Sequence, residues 1–365
     1  MKSRKILYYS YLLAVTVIAT ELILRVYNPF PTGIKGNKIV LRVNVKYVVE
    51  NRDIPVLDKT ITHTKNSLGF RGAGQQQMEN AFSIITMGGS TTECTYLNDG
   101  KTWTDGLGKK LDSSFKSPVW INNAGLAGHS SFGHLVLLQD YVVKLKPKMI
   151  VLMLGCNDMN RADLTMSDRY SMRGMYGSTA SFFTKNSELA NIAATYARAG
   201  RASSLQIVDR YIDLNKEKNN NLEISEQAMA QKLAGYDKLL SEYEQRLQAI
   251  VETCKENNID LVLVSQPALF GNGVDPATGA HLERHRIDNE TNGLLWWKEL
   301  SLYNEVTGRV AGRNGLFFID LARQMPKTSS YFYDLVHFTN DGAAKVSEII
   351  HKELLTYLIS NHKIL

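Results

Sequence analysis

The distribution of hydrophobic residues changes at about residue 81. Beyond that point, short apolar runs alternate with longer segments in which apolar residues recur at helical spacing. The five runs are AFSIITMGG, VWINNAG, KMIVLMLGCND, IDLVLVSQP and GLFFID. Buried strands that alternate with amphipathic helices are typical of a parallel sheet covered on both faces. The pattern therefore predicts an α/β fold with three layers, α/β/α, around a five-stranded, mostly parallel sheet.

The N-terminal segment follows another pattern. Three basic residues precede a largely apolar stretch from Ile6 to Thr20, and apolar residues resume directly after Glu21. This stretch is close to the length that a helix needs to cross the hydrocarbon core of a bilayer. The leading positive charges predict a cytoplasmic N-terminus, with the body of the protein on the periplasmic or extracellular side.

Two interpretations of this segment are open. Val17-Ile18-Ala19 resembles the small-residue site at which a signal peptide is cleaved, so the segment could be absent from the mature protein. The apolar run continues past Ala19, however, which favours an uncleaved transmembrane anchor over residues 1–26. Both interpretations place the body of the protein outside the cytoplasm.

The remaining chain is expected to form a small lead-in and one large domain. KIVLRVNVKYVVEN alternates like an exposed strand and NSLGFRG is typical of a turn, which predicts a β-rich lead-in over residues 27–80. The α/β domain then spans 81–365, with a helical insertion at about 159–231. An insertion after the carboxyl end of a strand fits a substrate-selecting lid and a purely structural decoration equally well.

Composition excludes only a few classes of function. The net charge of +6 is spread along the 365 residues without a dense basic stripe, so no nucleic-acid partner is expected. Cys94, Cys156 and Cys254 lie in or beside apolar runs and are expected to be buried free thiols, although one pair could close after export. No CxxC, HExxH or paired His/Cys spacing suggests zinc, and no cofactor is expected. The sequence does not indicate the oligomeric state.

Candidate chemistry lies where the predicted strands end, because the carboxyl ends of the strands form the ligand crevice of open α/β sheets. Gly88-Gly89-Ser90 follows the first run, so a tight turn can expose the serine at the start of a helix. The second run leads to Gly125, whose N–H no side chain shields, and the third places the Asn157 carboxamide over the same crevice. Each motif alone also fits an ordinary cap or turn.

The fourth motif, YDLVHFTNDGAAKV, precedes the last helical pattern. One loop can hold both Asp334 and His337, so that the carboxylate orients the imidazole and stabilises its cation. The imidazole can then accept the proton of the Ser90 hydroxyl. A lone histidine is usually structural, but this one has an acid partner and follows three other motifs in order. Four such signals at the strand ends of one predicted sheet are hard to obtain by chance.

As a set, the motifs resemble those of the SGNH hydrolases, the GDSL-type esterase and lipase superfamily. The four blocks of that superfamily match GGSTTE, NAGLAG, GCND and DLVH, and the resemblance covers about residues 81–359. GGST replaces the namesake GDS, a variant associated with membrane-anchored bacterial members, which NSLGFRG also resembles. The fold that this resemblance implies is the flavodoxin-like form of the three-layer α/β/α arrangement.

The resemblance also implies a Ser-His-Asp mechanism. Ser90 would attack an ester carbonyl, His337 would act as general base and then as general acid, and Asp334 would orient His337. The backbone N–H groups of Ser90 and Gly125 and the side-chain amide of Asn157 would form the oxyanion hole.

The predicted function is that of a membrane-anchored serine esterase that removes O-acetyl or other short acyl groups from an envelope or exported polysaccharide. Three alternatives are open: an O-acyltransferase that uses the same triad on a sugar hydroxyl, a lipid esterase, and a non-catalytic polysaccharide-binding module. The complete motif set argues against the last. No strongly amphipathic lid supports the lipid esterase.

Several other residues near these motifs are candidates for a role in binding. His129 and His134 lie near the predicted crevice, and Trp296 and Trp297 could stack on a sugar ring. Helical or loop packing is the favoured interpretation for all four. Cys94 follows the nucleophile by one helical turn and is expected to face inward.

Overall fold

The chain divides by its contacts into two compact units. The computed structural model describes residues 2–30, 33–35, 38–161, 164, 168, 178–203 and 210–362. The small unit consists of Met1–Leu41 with Thr165–Gln206, and the large unit consists of Arg42–Leu164 with Ile207–Leu365. Two domain boundaries, at residues 26 and 80, remain predictions. The helical insertion at about 159–231 also remains a prediction.

The strands and helices are numbered along the described part of the chain. The strands are β1 (Ile34–Lys35), β2 (Lys38–Ile39), β3 (Val45–Glu50), β4 (Thr60–Lys65), β5 (Arg71–Gly72), β6 (Phe82–Gly88), β7 (Val119–Asn123), β8 (Met149–Met153), β9 (Asp260–Val264) and β10 (Phe317–Ile319). The helices are α1 (Lys2–Val26), α2 (Ser90–Glu93), α3 (Trp103–Asp112), α4 (Ser131–Leu137), α5 (Val143–Leu145), α6 (Ser178–Asn186), α7 (Glu188–Ser203), α8 (Glu226–Leu233), α9 (Asp237–Glu256), α10 (Gly293–Asn314), α11 (Leu321–Gln324) and α12 (Asn340–His362).

A six-stranded sheet lies at the centre of the large unit, in the order β10-β9-β8-β6-β7-β5. The five strands from β6 to β10 coincide with the five apolar runs and pair in parallel. Counted along the chain, these five follow the order 2-1-3-4-5 of flavodoxin-like folds. The predicted fold class is therefore confirmed, with one addition: the two-residue β5 pairs antiparallel with β7 at the edge.

Helices cover the sheet in two groups. One group consists of α3 packed on α12, and the other of α9 packed on α4 and α10. The amphipathic pattern of α9 explains its position, because Tyr243, Leu247, Ile250, Val251 and Cys254 are all buried. In the central strand β8, all five residues are buried, as expected for a strand between two helical layers.

Residues 45–65 form a β-hairpin that belongs to the large unit. Strands β3 and β4 pair antiparallel over their whole length, with Val45 opposite Lys65 and Glu50 opposite Thr60. The chain then turns at Asn66 and Gly69 and enters β5, where Arg71 pairs with Asn123 of β7. The end of the lead-in is thus hydrogen-bonded to the central sheet.

The small unit contains α1, α6 and α7. Residues Arg4–Val26 have a mean hydropathy of 1.7 and are long and apolar enough to cross a membrane, with none of the apolar window buried. Such a helix suits a membrane anchor and a signal sequence alike. Its C-terminal end packs on α7, and Leu24, Ile34 and Ile39 are buried in this unit.

Candidate active site

Ser90 is the first residue of α2, directly after β6. The two glycines before it are required because the backbone passes very close to its neighbours. A Cβ on Gly88 would lie 2.1 Å from Thr92 Oγ1, and a Cβ on Gly89 would lie 2.4 Å from Asn157 Nδ2. The sharp turn, which we call the Ser90 turn (residues 88–94), therefore brings the end of β6 against the residue that follows β8.

A chain of hydrogen bonds runs from Ser90 to the loop before α12. Ser90 Oγ lies 2.7 Å from Nε2 of His337, and Nδ1 of His337 lies 2.6 Å from Oδ2 of Asp334. Both Asp334 and His337 are buried, whereas Ser90 is half-buried. The structure thus brings together three residues that lie up to 247 positions apart in the chain.

The loop that carries His337 is fixed by its own hydrogen bonds. Oδ1 of Asp334 accepts the backbone N–H groups of Val336 and His337, at 3.0 and 2.7 Å. The Tyr333 ring stacks on the imidazole with a centroid distance of 5.6 Å and an interplanar angle of 13°. The Tyr333 N–H also donates to the His337 carbonyl at 3.0 Å. Both oxygens of Asp334 are therefore occupied in orienting the histidine.

Asn157 is positioned to direct a hydrogen-bond donor at the Ser90 turn. Its side chain is buried, and Nδ2 donates to the carbonyl of His129 at 3.0 Å. An amide nitrogen carries two hydrogens, so a second donor remains on the same atom. Because a Cβ on Gly89 would lie within 2.4 Å of Nδ2, this nitrogen is adjacent to the backbone that presents Ser90.

Gly125, a predicted donor of the oxyanion hole, makes a local hydrogen bond in the structure. Its N–H donates to Oδ1 of Asn123 at 2.9 Å. The absence of a side chain has another reason. A Cβ at Gly125 would lie 2.3 Å from the backbone nitrogen of Glu93, so glycine is needed here for close packing against the Ser90 turn.

Gly128 is the better candidate for the second backbone donor. It is buried, has a φ of +80°, and its N–H has no hydrogen-bond acceptor among the described residues. The next residue, His129, supplies the carbonyl that holds Asn157. NAGLAG contains two glycines, and the sequence alone does not distinguish them; the positive φ of Gly128 and the occupied N–H of Gly125 do.

A buried ion pair ties the Ser90 turn to the hairpin. Lys65 Nζ, at the end of β4, lies 2.8 Å from Oε1 of Glu93, and both residues are buried. Oε2 of Glu93 accepts the N–H of Ala127 at 2.7 Å, next to Gly128. Burial alone would raise the pKa of Glu93, but Lys65, His63 and the Ala127 N–H outweigh it and lower this pKa to about 2. Glu93 therefore holds the Ser90 turn and the Gly128 loop together as a carboxylate.

Arg71 of β5 fixes the other side of the same turn. Its Nη1 donates to the carbonyls of Glu93 and Cys94 at 2.9 and 2.6 Å, and its Nη2 donates to the carbonyl of Leu97 at 2.8 Å. Helix α2 ends at Cys94, which has a left-handed φ of 52°. The arginine thus supplies donors for carbonyls that this short helix leaves free.

A very small cavity adjoins the nucleophile. Its volume is about 10 Å³, close to the space that one water molecule needs. Ser90 and His337 line it together with Cys94, Tyr96, Leu97 and Phe338. Burial raises the pKa of Cys94 to about 12, so its thiol stays protonated and is a wall of the cavity rather than a second nucleophile.

The other candidate residues pack within the large unit. The rings of His129 and His134 are both buried, with centroids 5.6 Å apart. Trp296 is buried in α10, and the Lys327 ammonium lies 3.4 Å from the Trp297 ring centroid. All three cysteines are free and buried. Within the residues that the structure describes, no group of three or more His, Cys, Asp or Glu side chains could hold a metal ion.

Solved structures that align with the chain are distant in sequence. The acetylxylan esterase Axe2 from Geobacillus stearothermophilus is 14% identical, with 75% of this chain and 92% of that chain covered and a TM-score of 0.42. A lipase/acylhydrolase from Enterococcus faecalis is 16% identical, with 75% and 96% covered and a TM-score of 0.42. Likenesses at this level carry no argument about substrate. No curated protein matches the chain significantly.

The family comparison covers most of the chain. The model of the GDSL-like lipase/acylhydrolase family matches residues 86–345, a range that begins within β6 and ends within α12. This match confirms the resemblance that the four motifs indicate. The chain therefore belongs to the GDSL-like lipase/acylhydrolase family and is a carboxylic ester hydrolase.

Proposed function

We propose that the protein hydrolyses a short-chain ester, an O-acetyl group above all, through a triad of Ser90, His337 and Asp334. The observation that carries this proposal is the continuous hydrogen-bond chain from Ser90 Oγ through both nitrogens of His337 to Asp334 Oδ2, at 2.7 and 2.6 Å. A histidine between a hydroxyl and a buried carboxylate can accept the hydroxyl proton while its cation is stabilised.

The reaction then proceeds in two halves. Ser90 Oγ attacks the ester carbonyl as His337 Nε2 takes its proton, and the same nitrogen returns the proton to the leaving alcohol. In the second half, His337 takes a proton from water as the water oxygen attacks the acyl carbon. The bond from that carbon to Ser90 Oγ then breaks, Oγ recovers the proton from His337 Nε2, and the carboxylic acid leaves. The negative charge of each tetrahedral intermediate is stabilised by the N–H groups of Ser90 and Gly128 and by the free hydrogen of Asn157 Nδ2.

The small cavity beside Ser90 supports a short acyl group. A volume of about 10 Å³ is close to that of one water molecule, and Leu97 and Phe338, which line the cavity, are both buried. A long acyl chain would have to displace these side chains, at the cost of repacking. This observation favours an acetyl esterase over a lipid esterase.

The alcohol that carries the acyl group is proposed to be an envelope or exported polysaccharide. The support is the N-terminal pattern, because α1 is long and apolar enough to cross a membrane and three basic residues lie at its start. We propose that α1 anchors the protein with the large unit on the periplasmic or extracellular side, where such polymers are found.

Two assays test this proposal. Aryl esters of increasing chain length should be cleaved with kcat/KM falling steeply beyond the acetate, and Ser90→Ala should abolish turnover of all of them. An O-acetylated polysaccharide should release free acetate with the native protein only. Equal rates on acetate and octanoate esters would contradict the short acyl group, and full activity of Ser90→Ala would contradict the triad. Acetate that appears on an added oligosaccharide instead of in solution would indicate an acyltransferase.

A further inference from the structure

The end of α1 is built into the small unit through Glu21. The Glu21 carboxylate accepts the Ser187 hydroxyl at 2.9 Å and the backbone N–H groups of Glu188 and Leu189 at 3.0 and 3.1 Å. These groups lie at the start of α7, where backbone N–H groups have no partner within the helix. An acidic residue in an otherwise apolar helix is costly unless it has such partners. Glu21 therefore caps a helix that lies more than 160 residues further along the chain.

Three more contacts hold the same junction. Arg25 donates through Nη2 to the carbonyl of Asn186 at 2.6 Å and through Nε to Glu21 at 2.9 Å. Lys35 and Asn28 both contact the Glu188 carboxylate, at 2.5 and 3.0 Å. The C-terminal end of α6 and the N-terminal end of α7 are thereby fixed beside the last turns of α1.

This junction places an exposed aromatic pair beside the end of the apolar helix. Phe182 and Phe183 of α6 are 62% and 57% exposed. They precede Asn186 by about one helical turn, so they lie within roughly 6 Å of the fixed junction along the axis of α6. On α1, Ile18 and Leu22 are 60% and 58% exposed. Arg25 of α1 holds Asn186, the last residue of α6, so the aromatic pair lies about one turn of α6 from the end of the apolar helix.

We propose that α1 is retained in the mature protein as an anchor, and that Phe182 and Phe183 insert into the lipid interface where α1 leaves the bilayer. The proposal rests on the anchoring of α1 under the proposed function. Cleavage after Ala19 would remove most of α1 and leave Glu21 and Arg25 close to a new N-terminus, without the helix that holds them at the start of α7. Phe is among the apolar residues that interfacial helices bury at the boundary between headgroups and acyl chains, which is the depth at which polar groups such as Glu21 and Arg25 begin.

We assign a lipid bilayer as the occupant of this surface because the aromatic pair lies close to the end of a helix whose length and composition match a bilayer. The charged groups of the junction also place it at the lipid interface. They are ionised or strongly polar, so they mark the plane at which α1 leaves the bilayer and returns to water.

Fluorescence quenching by lipids tests the proposal on the full-length chain. Phe182→Cys and Phe183→Cys can each be labelled selectively with bimane, because the three natural cysteines are buried. The labelled proteins are reconstituted in vesicles of phosphatidylcholine and phosphatidylglycerol, with and without brominated acyl chains. Val274→Cys, an exposed apolar position of the large unit, is the matched control, and Ile18→Cys reports on α1 itself. The intact mass of the protein extracted from membranes shows whether residues 1–26 are present.

We expect an unshortened mass, with brominated lipid quenching the labels at 182, 183 and 18 and leaving the label at 274 unquenched. If the label at position 18 is quenched but the labels at 182 and 183 stay unquenched, like the control at 274, the interfacial role of Phe182 and Phe183 is wrong. The anchoring of α1 would then still hold. An absence of quenching at 18, or a mass that lacks α1, would overturn the anchor and with it this inference. None of these outcomes depends on esterase activity, so they separate this inference from the proposed chemistry.

Discussion

The two sides of the candidate active site are held in different ways. The loop of Asp334 and His337 is stabilised from within, because the carboxylate accepts two N–H groups and the imidazole nitrogen within three residues of itself. The Ser90 turn has few internal contacts of this kind. Lys65 of the hairpin and Arg71 of β5 fix it through Glu93, which lies 28 and 22 residues further along the chain.

The two sides of the site should therefore respond differently to mutation. A self-contained loop loses its function when one of its own side chains is changed, with little effect elsewhere. A turn that is fixed by distant residues depends on the packing of the large unit, so a change far from Ser90 can displace the nucleophile and the Gly128 loop together. Displacements of about 1 Å can cost about 100-fold in rate.

The largest effect is expected on the self-contained side. Asp334→Asn should lower kcat by about 10⁴-fold, because the amide favours the wrong tautomer of His337 and cannot stabilise its cation. Steady-state kinetics on an aryl acetate measures this loss, with the midpoint of thermal unfolding as a check on the fold. A variant that retains more than a tenth of the native kcat would show that Asp334 only shapes the loop.

The next largest effect is expected from loss of a donor in the oxyanion hole. Asn157→Ala removes the donor that lies against Gly89 and should lower kcat by about 10²-fold to 10³-fold, with little change in KM. The matched control is Asn160→Ala, a nearby polar residue whose side-chain contacts are with Glu299 and Tyr236. Equal losses in both variants would indicate a general disturbance of the strand end rather than loss of a donor.

A smaller effect is expected from the distant support of the Ser90 turn. Lys65→Met leaves the Glu93 carboxylate buried without its cation, which should destabilise the fold by about 3 kcal/mol. We also expect kcat, expressed per phosphonate-labelled active site, to fall by roughly 10-fold to 100-fold. The control is Lys101→Met, which removes an exposed pair between the hairpin and the core, Lys101 with Asp58. That pair should contribute less than about 1 kcal/mol.

The comparison of the two lysine variants shows whether the Lys65–Glu93 pair positions Ser90 or only stabilises the fold. If kcat per labelled site stays native in Lys65→Met while the labelled fraction falls, the ion pair stabilises the fold without positioning Ser90. If Lys101→Met is as damaging as Lys65→Met, burial is not what distinguishes the two pairs.

The smallest expected effect is a shift of stability with pH. The folded pKa of Glu93 is about 2, below its ordinary value of 4.5, so its contribution to stability is complete above about pH 4.5. That contribution is lost as the pH falls towards 2, because protonation removes the pairing with Lys65. Urea unfolding between pH 5 and about pH 3 should therefore show a decline that is shallower in Glu93→Gln. An identical decline in both proteins would assign the acid sensitivity to other titrating groups, among them the buried His63, whose pKa burial lowers to about 4.

The sequence predicts those features that depend on local pattern. The five parallel strands follow from short apolar runs, and the Asp334–His337 loop follows from an acid and a histidine three residues apart. The roles of Lys65 and Gly128 do not follow from local pattern. Lys65 meets Glu93 only because β4 and the Ser90 turn approach in space, and the choice between Gly125 and Gly128 depends on which N–H is already occupied. Strand β5 has two residues, which is too short to show the alternation of apolar and polar residues that predicts a strand.

The central claim is that Ser90 is the nucleophile of a triad with His337 and Asp334. Labelling with a serine-reactive aryl phosphonate, followed by peptide mapping, tests it most directly. We expect one adduct per chain, on the peptide that contains Ser90, and a loss of esterase activity in proportion to labelling. An adduct confined to another residue, or full activity after complete labelling of Ser90, would contradict it.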